Sequence, residues 1–157
     1  MERFVEKFCK FWYYFSRIAG LMGITLIHKK MRTAIKNVRE LKVYQMAFDT
    51  AMQIFIKSKE FPKEEKYSPT DQIRRSSRSV CSNLAEGWNK REYRAAFACK
   101  LTEAVQESAE TQTWLEFSLK CGYLDLIIFK QLHEKYEHII AQLLTMKRKS
   151  STFIIPS

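Results

Sequence analysis

Four stretches of the chain repeat apolar residues at three- and four-residue intervals, the spacing of one face of an α-helix. From about Val38 to Glu60, the positions Leu41, Tyr44, Phe48, Ala51, Met52 and Phe55 form such a stripe, with Lys42, Gln45, Asp49 and Gln53 facing out. Phe61-Pro62 ends it, and residues 63–69 read as a polar connection. The second stretch runs from Thr70 to Gly87, with Ile73, Ser77, Val80 and Leu84 on one narrow face. Thr70 is expected as its N-cap, Asp71 places negative charge on the first turn, and Gly87 is expected to end it in the αL conformation. Its serines at 76, 77, 79 and 82 are mediocre helix formers, which predicts close contact with a neighbouring helix. A third helix is predicted from an N-cap at Asn89 to Cys121, with Phe97, Leu101, Ala104, Ser108, Leu115 and Leu119 inward and Gly122 as its C′ glycine. A fourth runs from about Leu124 to Lys147 on Phe129, Leu132, Tyr136, Ile139, Leu143 and Met146. Amphipathic helices on short links predict an all-α, antiparallel up-down four-helix bundle over residues 38–147, followed by a frayed tail at 148–157. Trp88 and Trp114 stand beside an adequate inner stripe, and as exposed side chains they would mark a second buried surface in a homo-oligomer.

Residues 1–37 read as an extension foreign to the bundle. Their first 30 residues are crowded with aromatics and interrupted by Lys7, Lys10 and Arg17; the longest charge-free run, Ile18 to Ile27, is about half of a bilayer crossing. No small-x-small cleavage site follows. Three readings stay open: an interfacial amphipathic helix, an extra core helix, or translation from a start upstream of Met31. A membrane partner is expected only if residues 1–30 are genuine.

Composition narrows the class. With 157 residues, 46% of them hydrophobic, one domain can bury a core without metals or disulfides, and 4 Gly and 3 Pro are too few for a β-sandwich. The 4 cysteines form no C-x-x-C pair, so neither zinc nor a disulfide framework is indicated, and a reducing cytoplasm is expected. Cys81 reads as a small core residue. His133 and His138 do not share a helix face, no Glu-x-x-His occurs, and no glycine-rich phosphate loop is present. Glu103, Glu107 and Glu110 line one side of the third helix without a histidine or nucleophile to join them. No enzyme activity, metal or cofactor is expected.

The formal charge of +10 is unevenly placed. Outside residues 1–40, the whole remaining excess lies between residues 70 and 100, where Arg74, Arg75, Arg78, Lys90, Arg91, Arg94 and Lys100 face Asp71, Glu86 and Glu92. Concentrated basic charge on a neutral body suits a phosphate backbone, RNA or DNA. The competing reading is a scaffold without nucleic acid, in which the arginines are taken up by Asp71 and Glu86, or by Glu103, Glu107 or Glu110 across subunits.

Several segments then carry a resemblance in order: Leu41-Lys-Val-Tyr-Gln-Met-Ala-Phe48, Phe61-Pro-Lys-Glu-Glu-Lys-Tyr67, Gln72-Ile-Arg-Arg-Ser76, Ser82-Asn-Leu-Ala-Glu-Gly87, Glu110-Thr-Gln-Thr-Trp-Leu-Glu116 and Gly122-Tyr-Leu124. Together they resemble the bacterial four-helix bundle family encoded in intervening sequences of 23S ribosomal RNA genes. The Arg-Arg pair with Asn83, Glu86 and Gly87 is the most specific part. The resemblance implies a homopentameric ring. The family is similar in turn to accessory variability determinant proteins of diversity-generating retroelements, which implies nucleic acid and a reverse-transcriptase-like protein as partners. The chain departs from the family pattern in its first 30 or so residues and at Ser76-Ser77 and Val80-Cys81, where alanine and Ile-Pro are common. On the residues alone, Asn83 and Glu86 read as hydrogen-bonding groups that fix the helix joint, with Arg75 as the expected partner. Arg74, Arg75 and Arg78 are the expected nucleic-acid contacts, extended by Lys90, Arg91 and Arg94.

Overall fold

The computed structural model describes residues 35–155; the expectations for residues 1–34 lie outside them. Asn37 starts the helical structure with a capping box: its side chain accepts from the Arg39 amide at 3.0 Å, while Glu40 accepts from the Asn37 amide at 3.2 Å. A short 3-10 turn, Val38–Glu40, leads into α1, Lys42–Lys57, and a second, Ser58–Glu60, closes it before Phe61-Pro62. After a third, Lys63–Tyr67, α2 runs over Pro69–Asn89, α3 over Arg94–Lys120 and α4 over Leu126–Arg148. No strand occurs among the described residues, and none of their helices is long and apolar enough to cross a membrane.

Long-range pairs give the directions. Gln53 meets Lys135 and Met46 meets Gln142, so α1 and α4 are antiparallel; Ser76 meets Thr111 and Asn83 meets Lys100, so α2 and α3 are too. Each helix packs on its chain neighbour and α4 closes on α1, which makes an up-down bundle. The α2–α3 interface is the most extensive. It is close because Ser76 and Ser77 are fully buried, as the serine-rich sequence predicts. The Ser76 and Thr111 hydroxyls pair at 2.9 Å, and Thr111 donates to the Glu107 carbonyl at 2.8 Å.

Several boundaries and faces differ from expectation. The buried face of α1 is Val43, Ala47, Thr50, Ala51 and Ile54, while Phe48 and Met52 are exposed and Phe55 is half-buried. Small side chains let α1 approach its neighbours, and Thr50 enters the core because its hydroxyl donates to the Met46 carbonyl at 2.7 Å. Pro69, not Thr70, opens α2, where its lack of an amide hydrogen costs nothing. The Thr70 hydroxyl is buried without a partner. Gly87 does not end α2, which continues to Asn89; Asn89 therefore caps nothing, and Tyr93 precedes α3. Gly122 has the positive φ, +76°, expected after the third helix.

Trp88 is buried and Trp114 is half-buried, so neither forms an exposed surface. The tail explains the first: Ser150–Phe153 is a 3-10 turn, not a frayed end, and sets Phe153 against Trp88 and Phe97 at 6.4 and 6.1 Å between ring centroids.

Candidate nucleic-acid interface

Helix periodicity puts Arg74 and Arg78 one turn apart, with Arg75 beside them. They line one open groove with Phe55, Asp71, Ser79 and Ser82. Arg74 is half-buried: its Nε donates to the Ser58 hydroxyl at 2.6 Å, and its Cζ lies 5.2 Å from the Phe55 ring centroid. Arg78 is exposed, with Cζ 5.3 Å from the same centroid, and Lys59 Nζ lies 4.8 Å from it. Arg75 is exposed, and its charge opposes the upward shift of the Glu107 carboxyl caused by burial and by Glu110. Among the described residues, none of these three guanidinium groups lies within ion-pair distance of a carboxylate, Asp71 and Glu86 included.

Lys90, Arg91 and Arg94 are not brought into this groove. Lys90 follows Arg78 by roughly 18 Å along the helix axis, at about 1.5 Å per residue. Lys90 is exposed, but Arg91 and Arg94 have structural partners. Arg91 Cζ sits 3.4 Å from the Trp88 ring centroid and its Nε donates to the Trp88 carbonyl at 2.7 Å. Partial burial lowers the Arg91 pKa from its ordinary value. Arg94 Nε donates to the buried Ser150 hydroxyl at 3.3 Å, tying the start of α3 to the tail.

Asn83 and Glu86, expected at the helix joint with Arg75, instead meet Lys100 across the α2–α3 contact. Lys100 Nζ lies 2.6 Å from Glu103, 2.8 Å from Glu86 and 3.3 Å from the Asn83 side-chain oxygen. The Glu103 and Glu86 carboxylates raise the Lys100 pKa, and Lys100 in turn lowers that of Glu103. Gly87 leaves room for the stem of this lysine: a Cβ there would stand 3.0 Å from Lys100 Cβ.

Phe55, Ser58 and Lys59 are the site residues that sequence reasoning missed. Their only local signal is that Phe55 follows Ile54, which holds the buried position of that turn. Burial pushes the Cys81 thiol up to about 11, away from a reactive thiolate. His133 sits between Glu116 at 3.8 Å and Glu137 at 3.9 Å. No cluster of three or more His, Cys, Asp or Glu among the described residues is placed to hold a metal.

Fold and site together define an antiparallel four-helix bundle with an arginine groove on α2 and a lysine–carboxylate lock at the α2–α3 joint. The chain belongs to the 23S rRNA-intervening sequence protein family, whose model matches residues 39–145. It is similar to a crystal structure of a protein of unknown function from the S23 ribosomal protein family of Bacteroides thetaiotaomicron, with a TM-score of 0.62 and 26% identity. That match covers 68% of this chain and 95% of the other. No curated protein matches.

Proposed function

We propose that this chain is a non-enzymatic, cytoplasmic nucleic-acid-binding bundle that holds phosphates through Arg74, Arg75 and Arg78. The observation that carries the reading is the gathering of three guanidinium groups in one groove with no carboxylate of the described residues at ion-pair distance. Arginines balanced by carboxylates serve a fold; grouped ones without an acidic partner attract an external polyanion. RNA is the form to test first, with DNA beside it. Lys90 is a secondary contact, while the partners of Arg91 and Arg94 favour a role in the joint for both.

Affinity for duplex and single-stranded RNA and DNA, measured across a salt series, tests the reading. The log–log slope should be about −0.9 per phosphate on duplex DNA and about −0.7 on single strands. Replacing Arg74, Arg75 and Arg78 together by alanine should weaken binding to all sequences alike and flatten the slope, because phosphate contacts carry no base information. Binding absent from the wild type, or insensitive to salt, refutes it.

A second reading, an oligomeric interaction scaffold, is favoured by a different observation. Phe48, Met52 and Ile56 repeat every fourth residue along α1 and are 49%, 42% and 54% exposed. Such a stripe is costly to leave in water and suits a further interface. A homo-oligomer, pentameric by the family resemblance, is compatible with nucleic-acid binding, since it would repeat the groove around a ring.

A further inference from the structure

Three cations share one aromatic ring. Lys59 Nζ, Arg74 Cζ and Arg78 Cζ lie 4.8, 5.2 and 5.3 Å from the Phe55 centroid. Like charges so close repel, and on a plain helix surface their long side chains would spread into solvent. Here the negative face of the ring attracts each cation. Ser58 adds a fixed point, since its hydroxyl accepts from Arg74 Nε at 2.6 Å and donates to the Phe55 carbonyl at 3.1 Å. Ser58 is itself buried, which ties the Arg74 side chain to the end of α1. No carboxylate of the described residues is at ion-pair distance from either arginine, so no ion pair among them answers the positive charge collected on the ring.

We infer that Phe55 is a positioning residue, which gathers Lys59, Arg74 and Arg78 so that they meet a phosphate group of the nucleic-acid backbone together. This inference rests on the function proposed above for the identity of the ligand. It adds the reason the site is formed before the ligand arrives: side chains already held in place lose less freedom on binding.

The test compares the full wild-type chain with Phe55→Leu, which keeps an apolar side chain but removes the ring, and Phe55→Tyr, which keeps the ring. Affinity for a duplex RNA across a salt series is one readout. The other is the rise in melting temperature caused by inorganic phosphate over chloride at equal ionic strength. Phe55→Leu should bind RNA about three- to ten-fold more weakly with an unchanged salt slope, because all cations remain. Phe55→Tyr should restore binding. Replacing Arg74 and Arg78 by alanine should instead flatten the slope. Should Phe55→Leu not fold, Ser58→Ala frees Arg74 alone and should weaken binding about two- to three-fold, again at constant slope. Wild-type affinity in Phe55→Leu, or failure of tyrosine to rescue it, overturns the inference and leaves the proposed function standing. If wild type binds no nucleic acid but gains stability from phosphate, and Phe55→Leu loses that gain, the positioning role stands and the nucleic-acid reading falls. No difference between wild type and Phe55→Leu in either readout overturns the inference.

Discussion

Replacing Gly87 by alanine sets two effects of known sign against each other. Gly87 lies inside α2 with ordinary negative φ, so alanine would gain about 0.5–1 kcal/mol from helix propensity and reduced freedom of the unfolded chain. Its new methyl would, however, stand 3.0 Å from Lys100 Cβ and 3.4 Å from the Phe97 ring. The favourable separation of two carbons is about 3.5–4.0 Å. Lys100 Cβ is bonded to the α3 backbone and cannot rotate away, so the two helices must part by several tenths of an ångström. Overpacking of this kind costs about 1–3 kcal/mol. The packing loss wins, and Gly87→Ala should destabilise by about 1 kcal/mol, a fall of about 3–4 °C in melting temperature for a chain of this size. Urea unfolding followed by circular dichroism measures it. The sharper test removes the obstructing atom. In a Lys100→Gly background, Gly87→Ala should become stabilising by about 0.5–1 kcal/mol, a change of sign within one double-mutant cycle. Stabilisation by Gly87→Ala in the wild-type background, or the same effect in both, refutes the close-approach argument.

Tyr136→Phe should stabilise the bundle by about 1 kcal/mol in the same assay, because its hydroxyl is fully buried and the Thr111 hydroxyl beside it is already engaged with Ser76 and the Glu107 carbonyl, which leaves the phenol without a well-formed hydrogen bond. A loss of stability would show that the hydroxyl is engaged. Lys100 holds the folded Glu103 pKa below its unfolded value, so this pair stabilises above the ordinary glutamate range and the contribution is lost as pH falls through the folded value. Lys100→Met should make melting temperature less sensitive to pH in that acidic window, and an unchanged profile counts against the lock. Replacing Phe48 and Met52 by serine should shift the mass seen by light scattering toward the monomer; a wild type already monomeric at micromolar concentration ends the oligomer proposal.

The four helices were legible because each carries a long apolar repeat that no other structure would bury. Their ends were less so. Gly87 and Gly122 look alike in the sequence, each closing an apolar stripe, and only Gly122 adopts a positive φ. The difference lies in Lys100 and Phe97, which approach Gly87 from the following helix. Trp88 was misread for the same reason: Arg91 and Phe153 cover it, and its indole nitrogen reaches the Lys36 carbonyl at 3.5 Å, contacts that involve both ends of the described chain. The face of α1 was ambiguous because apolar residues occupy more than one of its sides. A stripe through Val43, Ala47 and Ile54 and a stripe through Tyr44, Phe48 and Met52 share the helical period, and close packing selects the one with smaller side chains.

The groove was partly legible, and the missing part has one physical cause. Counting charge along the chain places Arg74, Arg75, Arg78, Lys90, Arg91, Arg94 and Lys100 in one basic segment. Space divides them. Lys100 is balanced by Glu86 and Glu103, while Arg91 on Trp88 and Arg94 at Ser150 lie away from the groove. Lys59, from outside the segment, joins Arg74 and Arg78 on Phe55. A phosphate responds to charge within about a Debye length and to guanidinium groups already in place, not to charge per residue of sequence. The residue that decides which cations act together is therefore an uncharged one on a different helix. That is why the Phe55 substitution should separate affinity from salt slope, whereas arginine substitutions should change both.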